Sequence, residues 1–434
     1  MSNGRPAGRG GAGLFDNGVA APGNRRAYGG DFGDVPDDGA DCADCADGMV
    51  FPDRTPEPAM DGHREVAAPV RLECYRHEGV VVRGRQHLRG LDRLTAEWEL
   101  SPADGPTLTA PAQLPRLAPG ESAAVTLPFT LPKEGGEAWL TLRARTAHDE
   151  PWAPRGAEVY MPQVRLRGPA PEQALPVPGR SVEVDENGLL VHPLLTAAPT
   201  LALWRAPTGN GEPGGVAGCR RVRRLDAFVR TVVDVRRNDG PVTVVCMYAC
   251  ESGVVRHEQV FTAVEGGIRV QETAELPWAL LDVAGVGSVF ETVPGLDLLK
   301  WYGQGPGKGC PDRAVRAPVG HHSAVPGDLF TSHPRPPGSG GLHGVRHFSL
   351  WGPDATGLSV RLDEPRRVSV TLPRPPAHVA AAGNHDRPVA RLGCVVHIDA
   401  AHRDPGATPR GPRASASYPI APAVHRWSWT LRPL

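Results

Sequence analysis

From residue 175 to the C-terminus the chain never settles into a helical period. It repeats short apolar alternations broken by Gly, Pro, Asn and Asp: "SVEVDENGLLV", "FVRTVVDVRR", "PVTVVCMYAC", "GIRVQETAEL", "LSVRLDEPRRVSVTL", "CVVHIDA" and "HRWSWTLRPL". So many strands, each apolar on one side, are accommodated by a large antiparallel sandwich in which every strand buries one face. No self-similar period of roughly 20–50 residues marks a propeller or solenoid. The 52 Gly and 47 Pro of the chain agree. They are about twice the average usage, and they favour many turns over long helices.

Residues 58–168 use the same grammar. "GVVVRGR", "LTAEWEL", "AAVTLPFTLP" and "EAWLTLRARTA" alternate and are separated by "SPADGP", "LAPGES" and "KEGG". Strands at about ten-residue spacing predict a β-sandwich of about 100 residues, here without the Cys…Trp…Cys spacing of antibody domains. The Pro-rich "RGPAPEQALPVPGR" reads as a linker between the two regions. Residues 1–57 lack periodicity, and "MSNGRPAGRGGAG" reads as a disordered lead-in. The length of 434 residues allows roughly two to four domains.

Composition excludes several function classes. Lys and Arg number 47 against 48 Asp and Glu, so no global field recruits nucleic acid or an acidic membrane surface. The basic residues are nearly all Arg, which we read as the mark of a GC-rich genome. Eight Cys over this length make no disulfide framework. Cys42 and Cys45 form a C-x-x-C, but no second pair stands at zinc spacing, and a tandem "ADC" duplication accounts for it. Cys246 and Cys250 are expected to be buried thiols. No apolar run approaches the roughly 20 residues of a membrane span, and the N-terminus lacks a signal-peptide core, so the chain reads as cytoplasmic.

The segment "WYGQGPGKGCPDR" imitates a phosphate loop and fails the test. Only three residues separate Gly303 from Gly307-Lys308, Gly309 stands where a hydroxyl is needed, and Pro311 obstructs a following helix. There is no G-x-S-x-G and no H-E-x-x-H. His343 and His347 fall in a strand-like setting that would hold them about 13 Å apart on one face, too far for a metal pair. His397 and His402 read as surface or satisfied core histidines, with a polar cleft as the other reading. Asp31, Asp34, Asp37 and Asp38 form an acidic cluster of the kind usual in solvated loops, with paired glycosidase carboxylates as the alternative.

Five separated segments give the chain a family. "AYGGDFGDVPDD", "DGMVFPDRTPEPA", "LWRAPTGNG", "WYGQGPGKGCPDR" and "HRWSWTL" resemble, in order and spacing, the C-terminal half of family 2 β-galactosidases. The resemblance implies an all-β architecture: an immunoglobulin-like β-sandwich at 58–168, then a large antiparallel β-supersandwich, galactose-mutarotase-like, at 175–434. Before them it implies a remnant of the catalytic (β/α)₈ barrel within residues 1–57. It also implies a glycosidase acting on terminal β-D-galactosides such as lactose, by a retaining mechanism with two glutamates.

Both glutamates belong upstream of Tyr28, so the resemblance gives this chain no catalytic residue and predicts inactivity without a barrel supplied in trans. It places Asp47 at a position that helps hold sodium and touches the galactose, Asp37 where an Asn approaches magnesium, and Arg410 where an aromatic or Cys borders the sugar. The implied partners are the sugar and either a barrel-bearing chain or further copies of this one. Departures accompany these matches. Asp44 replaces a Phe, Lys308 a Glu and Cys310 a Tyr; Gly209 and Gly211 replace Asp on either side of Asn210; Pro337-Gly338 replaces Gln-Glu. The competing reading is a non-catalytic carbohydrate-binding or scaffold β-sandwich, or a decayed gene product.

Overall fold

The computed structural model describes residues 19–21, 25–27, 68–74, 79–85, 90–118, 120–130, 135–169, 176–203, 228–237, 240–280, 283, 285–305, 317–329, 341–372, 393–402 and 420–434. Among them every element is a β-strand, apart from one 3-10 turn at Trp278–Leu280. The all-β expectation holds. Of residues 1–57 only one strand pair is described, β1 (Val19–Ala21) antiparallel with β2 (Arg25–Ala27). The barrel remnant and the lead-in otherwise lie outside the described residues.

The first sandwich has eight strands: β3 (Val70–Cys74), β4 (Gly79–Gly84), β5 (Leu94–Pro102), β6 (Leu108–Ala112), β7 (Ser122–Thr126), β8 (Ala138–Thr146), β9 (Glu158–Tyr160) and β10 (Gln163–Arg167). One sheet has the order β10-β8-β5-β6 with β9 also on β8; the other is β3-β4-β7. The alternation of β8 shows why. Ala138, Leu140, Leu142 and Ala144 turn inward onto Trp98, Val80 and Val82, all buried. The opposite face carries charge, with Arg143 paired to Glu99 at 3.1 Å and to Glu158 at 2.6 Å.

The second sandwich holds β11 (Leu195–Ala202), β12 (Val229–Arg237), β13 (Val242–Cys250), β14 (Gly253–Val264), β15 (Gly267–Glu275), β16 (Gly285–Thr292), β17 (Leu298–Gln304), β18 (Val319–Ala324), β19 (Gly341–Trp351), β20 (Gly357–Thr371), β21 (Val395–His402) and β22 (Val424–Pro433). All belong to one antiparallel sheet, β11-β16-β21-β20-β22-β15-β14-β13-β12, with β19, β17 and β18 branching from β20. The sheet divides into two layers along β20. Its residues Leu358–Leu362 pair with β22, and Arg367–Thr371 pair with β21.

The handover falls across Asp363–Arg366, which explains how Pro365 stands inside a 15-residue strand: no rung there needs its missing N–H. Arg366, nearly buried, clasps this fork. Its Nε lies 2.8 Å from Asp363, and Asp363 also accepts the Ser428 N–H at 3.0 Å. Between the layers Phe290 of β16 stacks on Trp429 of β22, centroids 5.5 Å apart.

Three local expectations need correction. "SVEVDENGLLV" is not one strand. Asp185 accepts the N–H groups of Asn187 and Leu189 at 2.9 and 2.7 Å, Gly188 takes φ +65°, and the run folds back to a single Val184–Leu190 bridge. His343 and His347 do lie in one strand, β19, but its register shifts twice between Leu342 and His347, with Gly344 at φ +54°, so regular spacing along one face does not follow. Cys246 is buried as expected, whereas Cys250 is half-buried.

Candidate functional site

Two parallel rows of side chains cross β18, β17 and β19 on the sheet face turned toward the first sandwich. Tyr302 pairs with His321 on one side and His347 on the other. Two residues earlier, about 7 Å along the strand, Lys300 pairs with Ser323 and Ser349. On the next rung, where Gly303 pairs with Gly320, the strands approach closely enough to need glycine. A Cβ on Gly303 would stand 2.9 Å from the Cα of Val345.

The Tyr302 row reads three successive carbonyls at the end of β5. The Tyr302 hydroxyl donates to Ser101 O at 3.0 Å, His321 Nε2 to Pro102 O at 2.8 Å, and His347 Nε2 to Ala103 O at 3.3 Å. A carbonyl only accepts, so each imidazole carries a hydrogen on Nε2. The Tyr302 and His347 rings stack with centroids 5.5 Å apart. Burial, helped by the Arg361 charge, pushes His347 down to about 4, and the same desolvation raises the Tyr302 hydroxyl.

Two more contacts lock the sandwiches together. The Gln163 side-chain amide accepts the Val319 N–H at 2.8 Å and donates to Val319 O at 2.7 Å, standing in for a sheet rung. Glu137, 2 % exposed, receives the Arg346 guanidinium on both oxygens, at 2.6 and 2.8 Å. Beside the contact the Lys300 row stays open in a pocket of about 400 Å³, walled by Lys300, His321, Ser323, Ser349 and Trp351.

A second polar centre lies inside the supersandwich. Glu272 of β15, 2 % exposed, accepts from Trp429 Nε1 at 2.8 Å, Trp427 Nε1 at 3.1 Å, Gln259 Nε2 at 3.2 Å and the Ser288 hydroxyl, and pairs with His257 Nε2 at 3.0 Å. Burial works against its charge, but His257, Ser288 and Trp429 outweigh that and hold the carboxyl below its usual range. Ser288 comes from the opposite layer, so this carboxylate pins the layers together. With its oxygens occupied and no exposure, it is a core support rather than a reacting group.

Sequence reasoning missed Glu272, although Val270-x-Glu272-x-Ala274 alternates and puts it on the inward face. It also missed the Tyr302 row, where alternation through "HHS" sends His321 and His322 to opposite faces. His402 is satisfied by Arg367 at 3.2 Å, beside Asp399.

Asp37, Asp47 and Arg410 lie outside the described residues, as does the Asp31–Asp38 cluster. Among the described residues no group of three or more His, Cys, Asp or Glu gathers for a metal ion. The strands do show where two of the family's segments attach. Residues 204–227 connect β11 to β12 and 403–419 connect β21 to β22, each passing from one layer to the other. Through the pairs Ala202–Gly287, Gly285–His402 and Glu275–Val424, both leave the same end of the sandwich.

An immunoglobulin-like sandwich docked on a two-layered supersandwich makes this an all-β protein of two packed β-sandwiches. The β-galactosidase small chain family matches residues 179–431, and the family described as β-galactosidase, domain 4, matches residues 80–167. The chain belongs to the β-galactosidase small chain family and corresponds to a C-terminal β-galactosidase region. It is 26 % identical to a β-galactosidase of Arthrobacter sp. (strain B7), over 91 % of this chain and 43 % of that protein. It is also 26 % identical to a β-galactosidase of Aeromonas hydrophila, over 76 % of this chain and 36 % of that protein. The chain therefore spans less than half the length of these relatives. A solved structure, a putative aldose 1-epimerase from Escherichia coli K12, aligns with 68 % of this chain and 96 % of its own at 13 % identity and a TM-score of 0.29, too low to bear on the fold or function. No helix among the described residues is long and apolar enough to cross a membrane.

Proposed function

We propose that this chain is the non-catalytic C-terminal part of a β-galactosidase hydrolysing terminal β-D-galactosides such as lactose, acting together with a catalytic barrel. The observation that carries this reading is the directional docking of the two sandwiches, in which Tyr302, His321 and His347 take three consecutive carbonyls. Such an interface makes the pair one rigid support, and rigidity is what a sugar-proximal rim requires. The segments containing Asn210 and Arg410 start from one end of that support.

In this reading Arg410 covers a face of the sugar with a cation where an aromatic would stack, and Asp47 touches the galactose. Asp47 and Asp37 would hold sodium and magnesium, hard cations that suit carboxylate oxygens. The chain's own contribution is to position and to enclose. The acid/base and nucleophile glutamates come from the barrel.

The test compares the purified chain, a separately expressed barrel fragment and their mixture on a chromogenic β-galactoside. The expected result is no turnover by the chain alone and turnover by the mixture. Turnover by the chain alone, above an equally purified blank, would overturn the non-catalytic role and direct attention to Asp31 and Asp34. A chain that binds galactosides yet never activates a barrel would be a carbohydrate-binding scaffold.

A further inference from the structure

We propose that the open row Ser323–Lys300–Ser349 is a binding site for a tetrahedral oxyanion, with the phosphate monoester of a small sugar as the ligand class that fits it. The site is independent of the galactosidase reading, because it uses only residues of the second sandwich.

The geometry follows from the register. Lys300 lies directly between Ser323 and Ser349 on adjacent antiparallel strands. Neighbouring strands stand about 4.8 Å apart, so the two serines lie roughly 10 Å from one another with Lys300 rising between them. The ammonium, drawn to the Trp351 side, and the Ser349 hydroxyl can share one tetrahedral ion, which leaves Ser323 for the organic part of the ester. Ser349 Oγ accepts a hydrogen bond from Trp351 Nε1 at 2.8 Å, which leaves its own hydrogen to donate outward. The Lys300 ammonium sits 5.2 Å from the Trp351 ring centroid, an attraction that fixes its position without neutralising it.

The electrostatics select an anion. No carboxylate lines the pocket. His321 and His347, in the next row, have committed their Nε2 hydrogens to the first sandwich. The pocket therefore offers one positive charge and hydroxyl donors, with no negative group to repel an oxyanion. At about 400 Å³ it has space beyond a bare ion for the organic part of a small ester, against the Trp351 wall. Because the occupied row would adjoin the row that joins the two sandwiches, binding should also stabilise their docking.

The experiment titrates the full chain by calorimetry with inorganic phosphate, glucose 6-phosphate and glucose, with ionic strength balanced by KCl. Saturable binding at about millimolar concentration is expected for both phosphates and not for glucose. Lys300→Gln should raise Kd at least tenfold and Ser323→Ala about threefold for the ester, while Arg145→Gln, whose side chain pairs with Glu97 on the first sandwich, should leave it unchanged. Tighter binding of the ester than of phosphate would assign the remaining volume to the sugar; equal binding would assign the site to the oxyanion alone. Either supports the proposal. It is overturned if neither phosphate saturates, if glucose binds as well as its ester, or if folded Lys300→Gln, verified by its melting curve, binds with the wild-type Kd.

Discussion

The hydroxyl of Tyr302 donates to the carbonyl of Ser101 at 3.0 Å, across 201 residues of sequence and with both residues 0 % exposed. That bond joins two sandwiches with separate hydrophobic cores. A buried carbonyl that loses its donor bears a desolvation penalty, so the bond matters more to docking than its net strength suggests.

Tyr302→Phe tests this with almost no change of volume. The ring still stacks on His347, but Ser101 O is orphaned. We expect a loss of about 1–3 kcal/mol, read from urea denaturation, with the second sandwich keeping its own cooperative transition. An unchanged midpoint would mean that water replaces the hydroxyl and that the contact is not sealed.

The Glu137–Arg346 pair should behave as a buried ion pair does. Removing one partner leaves the other charge without compensation, at a cost of about 3 kcal/mol. Glu137→Gln and Arg346→Met should each destabilise by about that amount, and the double variant by clearly less than the sum. Additive losses in the double-mutant cycle would show that the two side chains do not interact in solution.

Much of this fold was legible in the sequence, and the exceptions have physical causes. Alternation located β8, β13, β15 and β22 because each buries one face and wets the other, as Leu140 and Leu142 against Arg143 and Arg145 illustrate. It failed at 181–191, where the Asp185 side chain captures backbone N–H groups and turns the chain back. "LSVRLDEPRRVSVTL" was legible as strand despite Pro365, which falls where β20 changes partners. The interdomain contact was not legible. His347 entered the sequence reading only as half of a metal pair with His343, since the carbonyl it meets belongs to Ala103, far away in the chain. For the sugar-proximal side, Asp37, Asp47 and Arg410 rest on the resemblance alone.

His347 gives the protein a pH dependence whose sign is fixed by burial. Its folded value is about 4 against about 6.5 in the unfolded chain. Above about 6.5 both states are neutral and docking has its full stability. As pH falls toward 4 the unfolded chain takes up a proton that the folded one refuses, so stability is lost across that window, by on the order of 3 kcal/mol. His192 and His322 are lowered too and act in the same direction. The measurement is the urea midpoint from pH 7.5 to 4 for wild type and His347→Gln. The variant should show a shallower decline; parallel curves would remove His347 from the account.

Glu272 supplies the most demanding prediction. Five side chains from three strands direct polar hydrogens at its two oxygens, and two of those side chains are the indoles of Trp427 and Trp429. Glu272→Leu would keep the volume and strand propensity but strip the acceptor from Trp429, His257 and Ser288 in a sealed core, each at about 1–3 kcal/mol, while Trp427 still reaches Ser288 and Gln259 still reaches Pro199 O. Their sum, about 3–9 kcal/mol, is comparable to the usual stability of a domain, so the second sandwich of this variant should be severely destabilised or fail to fold. Glu272→Gln keeps one acceptor and turns an amide N–H₂ toward donors, and we expect a folded protein weakened by about 2–4 kcal/mol. The two variants separate a core support from a group used in chemistry. If Glu272 only supports the core, Glu272→Gln in an active complex with a barrel should retain wild-type kcat and KM below its melting temperature. A folded Glu272→Gln protein with wild-type stability and lost turnover would instead make this carboxylate a functional group reached by a motion of the sandwich.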